Sequence, residues 1–410
     1  MRNTWITLAL VTLGTLLFAW QGPKLVEDAY IPDESPQALP FLQDNMRDVA
    51  MNTTRVGSDD PLETAVAVSN LIYPATEPEN TPGAVILVGM DSLAEVMVGV
   101  SRVQHFPVNA PILYVTADGI PDLTRNELLR LKPEGVPADR NVQVYLIGAT
   151  AAAVNEEVEE MGYKTRIFTA DNPAELALVV DAWTSTQHGD HRNEVVVANL
   201  DNLEPAIPSA FWNAHRGDGL AFVTGEGIPA ATVEMFRLRA SGPWIYVFGD
   251  ETVVPEDVVR ALAQYGHVTR MPEPDFVGTS AFFAGFHDEG KDWGAWFWQK
   301  PRTFGWGISE AGHNGIFVNA DGPGGWQNVM PAATLSHMGK HAPVLAVNED
   351  GVPQRTADYL RIIKPYPTAP QQHLTNHGWI IGGEETINWT TQTVLDQMLD
   401  PYLPFPETNE

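Results

Sequence analysis

Arginine carries a planar fork of N–H donors that grips phosphate or carboxylate bidentately. Arg55, Arg166 and Arg270 each follow a threonine and stand 111 and 104 residues apart. In that pattern they are a candidate trio of donors for the anionic groups of a polymer. The competing role is a structural ion pair with the acids that follow each of them: Asp59 and Asp60, Asp171, and Glu273 and Asp275.

A second group is aromatic. Trp293, Trp296, Trp298 and Trp306 crowd the stretch 287–314, with Lys291, Lys300 and Arg302 among them. Indole has an apolar body and a polar edge, so such residues stack on sugar rings or enter a lipid headgroup layer, or else they pack inside the fold. His337 and His341 are four apart, as are His373 and His377. On a helix that spacing brings two imidazoles to one metal. No glutamate follows His337 in the zincin manner, and 373–377 reads as a loop, so no metal site is assigned. Gly322-Pro-Gly-Gly325 and Gly382-Gly383 follow strands, but neither matches a dinucleotide fingerprint or a P-loop. With no nucleophile elbow or kinase signature, the expectation is a protein that is not an enzyme and uses no cofactor.

The elements that must position these residues come in three sets. The first holds helices over 62–71, 93–104, 123–131 and 151–161, and strands over 84–88, 110–115 and 142–147. The second repeats the order with helices over 173–183 and 255–265 and strands over 195–198, 219–224 and 244–248. Strands of continuous apolar residues alternating with helices predict parallel sheets covered on both faces. The repeats span 54–164, 165–268 and 269–399, the last carrying the tryptophan-rich insert, and a short acidic tail covers 400–410. A period above 100 residues is too long for a solenoid and suits three small domains of one kind.

Composition narrows the function. The 410 residues include no cysteine, which removes disulfides, thiolate metal sites and cysteine nucleophiles. The formal net charge of −28 argues against nucleic acid as a partner, and against simple attraction to an anionic polymer. Residues 1–20 pair Arg2 with an apolar run and read as a signal peptide or signal anchor, which places the rest outside the membrane. Residues 21–53 hold four prolines and read as a linker.

Within the first repeat, Arg55, Glu63-Thr-Ala-Val66, Pro111-Ile-Leu113 and Leu146-Ile-Gly148 resemble the cell wall binding repeat 2 family. The other two copies are diverged: Gly219-Leu-Ala-Phe222 and Pro343-Val-Leu-Ala346 stand where the first has Pro111-Ile-Leu-Tyr114. The resemblance implies three tandem α/β repeats, each a small, mostly parallel sheet flanked by helices, arranged with pseudo-threefold symmetry. It also implies attachment to an anionic cell-wall polymer through the initial arginines and through Pro111, Ile112 and Leu113. Trp296 and Trp298 join these as candidate ligand-binding residues. The reading is an exported, non-enzymatic envelope protein that binds a cell-wall or surface polymer, tethered to the membrane by its amino-terminal helix if that is retained. The alternative is a structural surface scaffold that binds protein partners or itself.

Overall fold

The computed structural model describes residues 51–406, without 104, 106, 190, 241, 289, 291–302, 338–339 and 366–374. The expected leader, most of the linker, Trp293, Trp296 and Trp298 lie outside the described residues.

In chain order the first elements are β1 (Thr53–Val56), α1 (Pro61–Ile72), β2 (Val85–Gly89), α2 (Leu93–Val98), β3 (Ile112–Val115), α3 (Asp122–Leu131), β4 (Val144–Ile147) and α4 (Ala151–Glu160). The second set is β5 (Thr165–Phe168), α5 (Pro173–His188), β6 (Glu194–Asn199), α6 (Ile207–Arg216), β7 (Gly219–Val223), α7 (Ala230–Arg237), β8 (Trp244–Phe248) and α8 (Glu256–Leu262). The third is β9 (His267–Met271), α9 (Phe276–Gly285), β10 (Asn314–Val318), α10 (Gly325–Val329), α11 (Ala333–His337), β11 (Val344–Ala346), α12 (Gln354–Ile362), β12 (His377–Ile381) and α13 (Trp389–Leu399).

The strands form three four-stranded parallel sheets, ordered β3-β2-β4-β5, β7-β6-β8-β9 and β11-β10-β12-β1. The α/β class and the triple repeat are therefore as expected. The strand that opens each sequence repeat, however, sits at the edge of the sheet built by the copy before it. For β1 that sheet is the third, where Thr53 pairs with Gly378 and Val56 with Ile381. The described chain thus closes in a ring. The ring is fastened where Asn52 donates its backbone N–H to Asp396 Oδ1 (2.7 Å) and its amide to the Asp396 carbonyl (3.1 Å).

Local sequence explains the repetition. The first helix of each copy is capped by a short polar side chain, Asp60, Asn172 or Asp275, accepting from N–H groups of the first turn. Pro61 and Pro173 follow at the first helical position, where the missing N–H costs nothing. After the edge strands β3, β7 and β11 come tight turns ending at Gly119, Gly227 and Gly351. Five residues beyond each glycine a buried threonine, Thr124, Thr232 or Thr356, donates its hydroxyl back to the strand carbonyl of Tyr114, Phe222 or Ala346 (2.6–2.7 Å). Each lock ties a helix to its strand. Helical segments after the second strand of each set meet one another: α6 packs against a π-turn at Gly99–Val103, which continues α2, on one side and against α11 on the other. Tyr114 Oη bridges copies by donating to the Gln327 carbonyl (2.8 Å), and Tyr246 Oη reaches Asp288 Oδ2 (2.9 Å).

Candidate functional site

Arg55 and Arg270 lie on edge strands and spend their guanidinium groups within the fold. Arg55 donates to the carbonyls of Gly382, Gly383 and Ile387 (2.8 Å each) and to Gln392 Oε1 (2.8 and 3.1 Å). Arg270 donates to the carbonyls of Gly249 (2.8 Å) and Val254 (3.0 Å) and pairs with Glu256 (3.2 Å). Both fasten the same loop, the stretch between the third core strand and its helix, 382–388 and 249–255. Asn319 and Asn199 hold those loops from the other side, donating to the Thr386 (2.8 Å) and Val253 (2.6 Å) carbonyls.

Arg166 is not their counterpart. The equivalent backbone bonds are Gly382 N–H to Val56, Gly249 N–H to Met271 and Gly148 N–H to Phe168. Counting back one residue gives Arg55, Arg270 and Ile167. Arg166 therefore faces the other side of its sheet, where it grips the 3%-exposed Asp139 with both forks. In this copy α4 starts three residues after Gly148, with no loop to fasten, and Gly89 stands where Asn199 and Asn319 stand. Glu95 fills the place, accepting from Ala149 N–H (3.2 Å), and burial raises its carboxyl against the opposing effect of that bond. These carboxyl ends of strands are where open α/β sheets hold ligands, and in all three copies the chain's own groups occupy them.

Pro111, Ile112 and Leu113 are core residues. Ile112 is 1% exposed and Leu113 0%, because β3 is covered on both faces. Their side chains present no surface to a polymer in the described chain. Trp306 packs inward as well, edge-on to Trp212 (5.3 Å) and stacked on His215 (5.3 Å). His337 ends α11 and His341 lies beyond it in the left-handed region, so the two are not on one helix. His337 instead meets His105 (5.0 Å) and His341 meets His215 (4.8 Å), gathering histidines from all three copies. Burial first, then His341, His337 and Arg216, lower the pKa of His215 to about 4. Two asparagines serve the fold too: Asn52 is buried, and Asn388 caps α13.

What distinguishes one copy is a helix seam. In the first copy, α1 and α3 are joined by Ser69 donating to the buried Glu127, itself held by Arg130 (2.7 Å). In the second, the buried Asp181–Arg239 pair (2.7 Å) joins α5 to the residues just past α7. Among the described residues the third copy has no buried charge pair there, only the rim pair of Arg355 and Glu273. Gly278, Ala281 and Gly285 line one face of α9, and the small side chains leave a cavity of about 360 Å³ against α12. Phe282 and Phe286 flank it, ring centroids 5.6 Å apart. Arg355 and Glu273 meet across the rim (3.1 Å), and Asp358 stands beside them. Tyr359 backs the space, its hydroxyl buried with no hydrogen-bond partner among the described residues and its pKa pushed up by that burial. Cavities of this size hold small ligands, with apolar walls and a few polar groups. Ring faces, a guanidinium and carboxylates suit a polyhydroxylated ring.

The fold is shared with parts of Cwp8 and Cwp6 from Clostridium difficile. Cwp8 matches at TM-score 0.63 and 16% identity, over 87% of this chain and 53% of that one. Cwp6 matches at TM-score 0.64 and 15% identity, over 92% of this chain and 51% of that one. The chain therefore spans about half the length of these structures. No family model and no curated protein matches the chain. Among the described residues no helix is long and apolar enough to cross a membrane.

Sequence reasoning passed over the cavity. Its one signal was the composition of α9, where glycine and alanine recur at helical spacing beside Phe282 and Phe286.

Proposed function

We propose that this protein is an exported, non-enzymatic component of the cell envelope that binds a hydroxyl-rich surface polymer through the cavity between α9 and α12. The cavity carries the reading: the seam closed by buried charge in two copies is open in the third, with rings and polar groups around it. Its rim pairs positive with negative charge, so it suits a neutral glycan better than a polyanion, in keeping with the net charge of −28. The likeness to Cwp8 and Cwp6, which are cell wall proteins, supports the envelope setting. Internal use of the strand-end crevices supports a binding role over catalysis, since catalytic groups in such folds gather there.

The test is co-sedimentation of the purified protein with isolated envelope, alongside binding to immobilised glycans. Retention that survives high salt, is lost in Phe286→Ala and is weakened in Arg355→Ala is the expected result. No retention of folded protein overturns the reading. Self-association by sedimentation velocity in that case favours the scaffold alternative.

A further inference from the structure

We propose that His215 and His341 form a binding site for one borderline divalent cation, Zn²⁺ being the representative, with the two Nδ1 atoms as protein ligands and water completing the shell. The Nδ1 atoms are 3.2 Å apart. They hydrogen-bond to each other, and two imidazole nitrogens bound to one tetrahedral zinc at about 2.0–2.1 Å are themselves about 3.3 Å apart, so an ion that displaced the shared proton would keep their spacing and need only a turn of the rings. Their planes cross at 88°, which keeps one ring from stacking over the other.

One ring of the pair is also held in place. His215 ends α6, stacked on Trp306 and edge-on to Trp212 (5.7 Å), so its ring direction is fixed by packing. His341 has its backbone in the left-handed region, at φ 48. It is exposed, and the contact between the rings lies at the surface, which gives an ion its entry. Among the described residues no three histidine or carboxylate side chains gather as a metal-binding group, so the protein supplies two ligands. The two histidines come from different copies, and an ion between them would clamp the second copy to the third at the centre of the ring.

The experiment is isothermal titration of the full chain with ZnCl₂ after treatment with chelator, with imidazole ¹⁵N shifts read by NMR. One Zn²⁺ per chain is expected, with the Nδ1 resonances of both histidines moving. Asparagine tolerates the left-handed region, so His341→Asn removes one ligand and keeps the fold. It should weaken binding by about tenfold or more while leaving the Tm in chelator unchanged. His215→Gln should do the same to binding, and His267→Gln, away from the pair, should leave it intact. No binding up to about 1 mM, where affinity is only about 4 kcal/mol, overturns the proposal. Unchanged binding in His341→Asn, or shifts confined to other histidines, overturns it equally.

Discussion

Ile167 stands in register with Leu146, two residues before Gly148, as Arg55 stands with Ile380 before Gly382 and Arg270 with Val247 before Gly249. A slip of one residue flips every side chain to the other face. The Thr-Arg pair at 165–166 is thus a false match to the other two. Removing Arg55 strands three carbonyls and Gln392, so Arg55→Ala should cost about 2–3 kcal/mol in urea unfolding. Ile167 is 41% exposed, and Ile167→Arg should stay within about 0.5 kcal/mol.

Arg166 has a different role, and its loss should look different. Asp139 is buried and also accepts from Tyr145 Oη (3.1 Å). Arg166→Ala leaves that carboxylate without its cation, at a cost of about 3 kcal/mol or more. Asp139→Asn in the same background should recover part of the loss, because no uncompensated charge then remains. Chemical denaturation of both variants reads the difference.

Acid should weaken the fold through its histidines. The pKa of His377 is lowered from the usual 6.5 by burial first and Lys340 second, with Asp396 opposing. Above about pH 6.5 both folded and unfolded rings are neutral, and the full stability is present. As pH falls below that value the unfolded chain takes up its proton first, so stability declines until the folded pKa is passed. His215, lowered to about 4, carries the same sign over a wider window. The Tm measured in chelator should fall from pH 7 to pH 4, and His377→Gln should shallow the slope.

The junction between the second and third copies rests on an aromatic stack. Phe304, fully buried, lies parallel to Tyr246 at 3.5 Å and touches Trp212 edge-on at 5.4 Å. Phe304→Ala should destabilise by about 3–5 kcal/mol, and differential scanning calorimetry would show it. A second transition in that scan would mean that the copies unfold separately.

The elements were legible because their signals are local. Runs such as Val85–Gly89 are apolar throughout, and Asp60-Pro61 and Asn172-Pro173 announce helix starts. The turns ending at Gly119, Gly227 and Gly351, each with a threonine five residues on, mark the repeat more faithfully than the arginines do. Register and partner were not legible. A Thr-Arg pair says nothing of which neighbouring strand it meets, and Pro111-Ile112-Leu113 reads alike as a binding motif or a covered strand. The cavity was hidden for a related reason. It is an absence, visible only once Ala281 and Gly285 are set against Tyr359 and the filled seams of the other copies.

The pairing of β1 with β12 also bears on how the chain folds. Thr53 must find Gly378, more than 320 positions away, before the third sheet has its edge. On a ribosome the first of the described strands waits, unpaired, until almost all the described chain has emerged. Closing so large a loop is slow, and an open strand edge invites a neighbour. Until then another molecule's third sheet offers β1 the same partner, so crowding during synthesis would favour exchange of this strand between chains.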